Sequence, residues 1–252
     1  MAKNISIRWF SRAGQGAITA ATALAQILGK NGKFVQVFPD FGAEKRGAAV
    51  VVFNRISSEK LTNVAHPRGV DIVVLLDTSL VASGEISKEK LLEGLNPDGK
   101  LLVNTGQGNL KIAQDLKNVF TVKASEIAVE TIGKDIPNVP ILGALVKIGE
   151  FLDLEKFQAG LRNFLGNHLP PEILEGNLKA FEKGYNEISK LGVRKRNYRV
   201  GNLSQSEVLF GILAAAENTT LATGGEKLVS GIRKVVSTAI SVGQFAQKTQ
   251  SS

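Results

Sequence analysis

Two short apolar runs, VDIVVLLD (residues 70–77) and GKLLVNTG (residues 99–106), constrain the fold more than any other feature of this chain. Each has the length of a strand and is apolar at consecutive rather than alternate positions, which indicates a strand that is buried on both faces. Such strands belong to a parallel or mixed sheet with helices packed against each face. The remaining segments should therefore supply those helices.

The segments around these runs alternate between strand and helix patterns. Strand patterns occur at residues 5–10, 34–38, 48–56 and 118–122, and helix patterns at residues 17–30, 88–95, 124–133, 138–151 and 154–165. Pro39 is expected to end the second strand. Residues 48–53 are all apolar, so the third strand is also expected to be buried on both faces. The sequence predicts an α/β fold, a doubly wound, mostly parallel sheet with helices on both faces, plus a helical C-terminal extension.

The pattern changes near Leu191, just before the basic run VRKRNYR (residues 193–199). From residue 194 onward there are eight Lys/Arg and three Asp/Glu, so this tail carries +5 of the net charge of +8. We expect a domain at residues 1–190 and a basic, helical extension at residues 191–252. The extension is interpreted either as a solvated linker with two packing helices or as a docking arm for an acidic partner surface.

The residue types exclude most catalytic chemistry. The chain has no cysteine, which excludes disulfides, Cys-based zinc sites and thiolate-ligated iron–sulfur clusters within it. His66 and His168 are far apart in sequence and lack a nearby set of carboxylates. Asp71 and Asp77 bound a strand and are expected to cap its ends, with ribose binding as the alternative. The sequence thus predicts no catalytic residue and no metal ligand.

The N-terminal sequence lacks the apolar core of a signal peptide, and no apolar run approaches the ~20 residues of a membrane helix. We therefore expect a cytoplasmic protein without membrane or nucleic-acid partners. Its net charge of +8 suits an anionic ligand or an acidic partner.

A glycine turn (Gly14-Gln15-Gly16) lies between the first strand and the first helix. Unpaired backbone N–H groups and the helix dipole favour phosphate or carboxylate at such a position, and glycine lets the backbone approach a ligand closely. No Lys-Ser/Thr pair follows Gly16, and Thr19 stands where a third glycine of G-x-G-x-x-G would be. A tight turn without any ligand is the alternative.

A basic loop, PDFGAEKRGAA (residues 39–49), follows the second strand. In a doubly wound sheet it would lie at the carboxyl ends of the strands, the same edge as the glycine turn. Lys45 and Arg46 could then add cationic donors for phosphate, or they could simply form a solvated surface. Two loops suited to anions at one edge favour a phosphorylated ligand.

AGQGAITAATALA followed by QVFPDFGAEKRGAAVVVFNRI resembles the γ subunit of the 2-oxoacid:ferredoxin oxidoreductases. Members of that family have a G-R-G-G-Q-G-like turn, an alanine-rich helix and a loop of the type F-P-x-F-G-x-E-R-R-G-A-P. Later segments also fit, and the resemblance covers roughly residues 4–185. Ser11 and Ala13 replace glycines of the usual turn, and Ala49 replaces the proline that usually ends the loop pattern.

The resemblance implies a subunit that holds coenzyme A in an enzyme which decarboxylates a 2-oxoacid, with pyruvate as the commonest case. Thiamine diphosphate, magnesium and the iron–sulfur clusters would belong to α, β and ferredoxin-like δ partner subunits, which pass electrons to ferredoxin. Carried over by position, the coenzyme A contacts would be Gly14, Gln15, Gly16, Ala17, Lys45, Arg46 and Asn138.

Two other functions compete with this interpretation. The chain could be a structural subunit of such a complex without a ligand of its own. It could also be a stand-alone dinucleotide-binding dehydrogenase, although the interrupted glycine pattern and the missing proton donor disfavour that.

Overall fold

A computed structural model describes residues 4–41, 49–62, 67, 69–106, 112 and 116–191 of the 252-residue chain. The strands are β1 (Ile5–Arg12), β2 (Phe34–Phe41), β3 (Ala49–Ser57), β4 (Val70–Leu75), β5 (Leu95–Asn104), β6 (Val119–Val122) and β7 (Ser189–Leu191). The helices are α1 (Ala17–Lys30), α2 (Ser79–Ala82), α3 (Lys88–Leu92), α4 (Ala124–Ile132), α5 (Asn138–Gly149), α6 (Leu154–Gly166) and α7 (Pro171–Asn186).

The seven strands form one mixed sheet in the order β2-β3-β1-β4-β5-β6-β7. β1, β4, β5 and β6 are parallel neighbours, whereas β3 is antiparallel to both β1 and β2, and β7 is antiparallel to β6. Five of the seven strands consequently point the same way. The predicted α/β class with a mostly parallel sheet is confirmed, and the predicted helical extension lies outside the described residues.

Helices cover both faces of the sheet, but unequally. The larger core packs alternate residues of β1, β4 and β5 against α1, α4, α5, α6 and α7. The opposite face packs the intervening strand residues against α2, α3 and the segments that flank them, with Leu80 and Leu91 fully buried there. This two-sided cover explains why the runs at residues 70–77 and 99–106 are continuously apolar.

Two expectations about the second and third strands were wrong. β3 is not fully buried on both faces: Val52, Asn54 and Ile56 are buried while the intervening residues are only half-buried. The reason is that β3 forms an antiparallel hairpin with β2, which is an edge strand. Pro39 does not end β2 either, because an edge strand tolerates a residue that cannot donate a hydrogen bond on its open side.

The carboxyl ends of the parallel strands define the edge that matters for binding. β1 is followed by a connection to β2 on one side of the sheet, and β4 by a connection to β5 on the other. The two adjacent strands β1 and β4 therefore flank a topological switch point, where open α/β sheets bind ligands. Strand β2 ends at Phe41, and β3 begins at Ala49, which pairs with Arg12 at the end of β1. The register thus confirms that the glycine turn and the ends of the basic loop share one edge.

Across the described residues, no helix is both long and apolar enough to span a membrane.

Candidate functional site at the switch point

The glycine turn adopts a backbone that requires glycine. Gly14 has φ +95° and Gly16 has φ +79°, both in the left-handed region that side chains disfavour. Gly16 caps α1, and no side chain forms a capping hydrogen bond at that helix start. The first N–H groups of a fourteen-residue helix therefore face the switch point with the positive end of the helix dipole. Ala17 is buried, so only its backbone could contact a ligand.

The side chain of Gln15 joins the turn to β4. Its amide oxygen accepts a hydrogen bond from the Arg12 N–H at 2.8 Å, and its amide nitrogen donates to Asp77 Oδ2 at 2.8 Å. The Gln15 N–H also donates to the Arg12 carbonyl at 3.2 Å. Gln15 is thus oriented by two hydrogen bonds with Arg12 and by one that crosses to Asp77, beyond the end of the neighbouring strand β4.

Asp77 is the anionic centre of this network. Its Oδ1 accepts from the Ser79 N–H at 2.8 Å, and Arg12 Nε lies 3.5 Å from its Oδ2. Partial burial opposes ionisation, but hydrogen bonds from Ser79 and Gln15, together with the charge of Arg12, outweigh it and hold the pKa of Asp77 below its ordinary value. Asp77, two residues after β4, therefore joins the start of α2 to the glycine turn, and the expected capping of the strand end stays a prediction. Asp71 bonds the Ser6 N–H near the start of β1, at the opposite end of these strands.

Among the predicted site residues that the structure describes, Asn138 comes from a distant element and contacts the turn. It begins α5, as predicted, and is 8% exposed. Its amide nitrogen donates to the Gly16 carbonyl at 3.4 Å, while its amide oxygen accepts from the Val139 N–H at 2.9 Å. The fold thus brings together Gly14, Gln15, Gly16, Ala17 and Asn138.

An apolar cleft of about 540 Å³ opens beside Asn138. Its walls come from the outer face of α1, the start of α5, the end of α6 and the start of α7. Asn138 and Asn177 provide polar groups in the wall, and the exposed Lys134 and His168 also line it. A mostly apolar cavity of this volume with a few polar groups is typical of a site for a small organic ligand.

A smaller, polar crevice of about 200 Å³ lies on the other side of the turn residues, where Gln15 and Asp77 form part of its wall. The remaining wall comes from the ends of β4 and β5 and the start of α4. Asn104 organises this part by donating to the Leu76 carbonyl at 2.9 Å and accepting from the Ser125 N–H at 3.1 Å.

Lys45, Arg46 and His66 lie outside the described residues, so their roles stay predictions. His168 is exposed and bonds the Phe164 carbonyl through Nδ1 at 3.0 Å. In the part of the chain that the structure describes, no group of three or more His, Cys, Asp or Glu side chains could hold a metal ion.

Sequence reasoning missed Asn177 and the anchoring role of Asp77. Asn177 lies on α7, for which no helix was predicted, and its amide donates to the Ile173 carbonyl at 2.7 Å. Asp77 carried a usable signal, because an acidic residue directly after a buried parallel strand lies at the carboxyl edge of the sheet.

These observations define a doubly wound α/β domain with a helix-capping glycine turn at its switch point and an apolar cleft beside it. The sequence profile of the pyruvate ferredoxin/flavodoxin oxidoreductase family matches residues 6–187. Pyruvate synthase subunit PorC of Thermotoga maritima is 36% identical over 189 residues, which cover 74% of this chain and 95% of that protein. The common γ subunit of the pyruvate/ketoisovalerate oxidoreductases of Pyrococcus abyssi is 36% identical over 186 residues, 71% of this chain and 96% of that protein. The chain therefore belongs to the pyruvate ferredoxin/flavodoxin oxidoreductase family, as a γ subunit of the multi-subunit enzyme.

Solved structures share this fold. The crystal structure of the PorC subunit of Thermotoga maritima superposes with a TM-score of 0.63 at 35% identity, covering 75% of this chain and 98% of that one. The 2-oxoglutarate:ferredoxin oxidoreductase of Magnetococcus marinus, solved with 2-oxoglutarate, coenzyme A and succinyl-CoA bound, shares the fold, with a TM-score of 0.59 at 23% identity. This match covers 75% of the present chain and 32% of the Magnetococcus chain.

Proposed function

We propose that this chain holds coenzyme A for the oxidative decarboxylation of a 2-oxoacid, with pyruvate as the substrate, to acyl-CoA and CO₂. The observation that carries the proposal is the adjacency of two features. A glycine turn with positive φ opens an uncapped helix, and Asn138 links that turn directly to an apolar cleft of about 540 Å³.

Coenzyme A has the chemistry that these two features would recognise. Its nucleotide end carries several phosphate charges, which suit the N–H groups and dipole at the start of α1. Its adenine ring and long pantetheine arm are largely uncharged and suit an apolar wall with a few amide groups, such as those of Asn138 and Asn177. The 2-oxoglutarate enzyme with the same fold was solved with coenzyme A bound, which supports the choice of this cofactor.

Lys45 and Arg46 are proposed to pair with the phosphates. The strand register brings the start of β3 beside the end of β1, so the basic loop begins and ends at the edge where α1 starts. Arg would contact phosphate oxygens as a two-pronged donor and Lys as a point charge.

The redox chemistry is assigned to partner subunits. A chain without cysteine provides no thiolate for an iron–sulfur cluster. We therefore place thiamine diphosphate with magnesium in the α and β subunits and the clusters in the partners, including a ferredoxin-like δ subunit that delivers electrons to ferredoxin. On this proposal the γ subunit binds and orients the acyl acceptor and has no turnover alone.

The experiment that tests the phosphate assignment compares two ligands. Replacing Lys45 and Arg46 together by Ala should weaken coenzyme A about 10- to 100-fold, because charge-assisted hydrogen bonds contribute ~1.5–3 kcal/mol. Pantetheine, which has no phosphate, should lose much less affinity. An equal loss for both ligands would mean that these two residues do not contact phosphate, and the solvated-surface interpretation would stand.

A further inference from the structure

Glu85, in the segment between α2 and α3, connects the ends of two strands that the fold brings side by side. Its Oε2 lies 2.9 Å from Arg12 Nη1, and its Oε1 accepts a hydrogen bond from the Ala49 N–H at 3.0 Å. Arg12 is the last residue of β1, and Ala49 is the first residue of β3. One carboxylate thus joins the last residue of β1, two positions before the glycine turn, to the first residue of β3.

Arg12 transmits this restraint to the glycine turn. Its backbone carbonyl and N–H both bond Gln15, and its guanidinium is held from a second side because Nε donates to Ser79 Oγ at 3.1 Å. With the carboxylates of Asp77 and Glu85 within 3.5 Å, the charge of Arg12 is already compensated. Arg12 therefore contributes geometry rather than a free positive charge for a ligand.

From this network we propose that Glu85 is a positioning residue for coenzyme A. It fixes Arg12, which holds the glycine turn, relative to Ala49 at the start of β3, so that the turn and the start of β3 keep the relative position that binding of one ligand requires. This role rests on the proposed function above. Glu85 itself does not touch the ligand. Its side chain and that of Arg12 are 34% and 29% exposed, so the bridge is partly screened by water, and its loss should lower affinity without unfolding the domain.

Three variants of the full-length chain test this role. Glu85→Ala removes both bonds, whereas Glu85→Gln keeps an oxygen that can accept from the Ala49 N–H but loses the charge that faces Arg12. The matched control is Glu175→Ala, which removes a carboxylate that pairs with Arg162 between α6 and α7. The Kd for coenzyme A is measured by calorimetry, and the KM values for coenzyme A and for the 2-oxoacid are measured in the assembled complex.

Glu85→Ala should raise the Kd and KM for coenzyme A about fivefold to tenfold and leave the KM for the 2-oxoacid unchanged. Glu85→Gln should raise the coenzyme A values about twofold to threefold, and Glu175→Ala should leave them unchanged. Should Glu85→Ala not fold, the isosteric Glu85→Gln carries the comparison.

Unchanged coenzyme A values in both Glu85 variants would overturn the role, as would equal increases in the KM for both substrates. If Glu85→Gln raises the Kd and KM for coenzyme A as much as Glu85→Ala does, the proposed link between Arg12 and Ala49 is also refuted, because the hydrogen bond to the Ala49 N–H then contributes nothing. If the wild-type chain itself fails to bind coenzyme A, the proposed function fails. If the wild type binds and Glu85→Ala binds equally well, only the positioning role fails.

Discussion

Replacing Gly16 by Ala should disturb both the glycine turn and its contact with α5. A Cβ built on Gly16 would lie 2.8 Å from Asn138 Cγ and 3.1 Å from Asn138 Cβ, which is too close for either atom to stay in place. An alanine at φ +79° costs ~1–2 kcal/mol in backbone strain. Moving the buried Asn138 and breaking its long bond to the Gly16 carbonyl costs about 1 kcal/mol more. We expect Gly16→Ala to lower the free energy of unfolding by about 2–3 kcal/mol.

Gly14→Ala provides the matched control. Gly14 also has positive φ, but a Cβ there would meet no atom of the described residues within 4 Å. This variant should therefore lose only the strain of ~1–2 kcal/mol. Its methyl group would point into open space beside the turn, so Gly14→Ala should weaken coenzyme A binding out of proportion to its small loss of stability. Gly14→Val should weaken binding further while the domain stays folded.

The single tryptophan of the chain reports on unfolding. Trp9 is fully buried in the larger core, and its Nε1 donates to Asn54 Oδ1 at 2.8 Å. Urea unfolding followed by Trp9 fluorescence gives the free energy of unfolding for each variant, and an unchanged slope m shows that the two-state comparison is valid. Equal losses of stability in Gly14→Ala and Gly16→Ala would refute the contact between the turn and Asn138. Unchanged coenzyme A affinity in a folded Gly14→Ala or Gly14→Val variant would place the ligand elsewhere.

Two further outcomes follow from the described residues. Because the folded state holds the pKa of Asp77 below its ordinary value, ionised Asp77 adds stability above pH ~4, and this stability disappears as the pH falls through the lowered pKa. Asp77→Asn should therefore be about 1 kcal/mol less stable than wild type at pH 7. If urea unfolding shows the same difference in stability between the two proteins below pH ~4, the anchoring role is contradicted. A chain that ends at Leu191 keeps every described strand and helix, so it should stay folded and bind coenzyme A but assemble less well with its partners. If the shortened chain is unfolded, the proposed domain boundary is wrong.

The features that sequence could predict are those set by local pattern. Continuous apolar runs predicted β4 and β5, and the glycine turn and the start of α5 at Asn138 were placed correctly. The antiparallel hairpin of β2 and β3 was not predicted, because an apolar strand at a half-covered position resembles one that is buried on both faces.

Helix α7 was missed although its sequence is amphipathic. Leu174, Leu178 and Phe181 pack against the larger core at helical spacing, but Asn177 and Gly184 interrupt this apolar face. Gly184 is required there, since a Cβ would collide with the Pro140 carbonyl of α5. The bond from Gln15 to Asp77 was not predicted either: the position of Asp77 at the sheet edge can be read from local sequence, but its partner depends on strand order.

Coenzyme A binding by this γ subunit itself can be measured by titrating the full-length chain with coenzyme A and, separately, with NAD in a calorimeter. We expect saturable binding of one coenzyme A per chain and no binding of NAD at the same concentrations. Pre-incubation with coenzyme A should also raise the urea midpoint reported by Trp9, because a ligand that binds only the folded state stabilises it. Absence of coenzyme A binding would favour a purely structural subunit, and equal binding of NAD would favour a dinucleotide-binding site of a different kind.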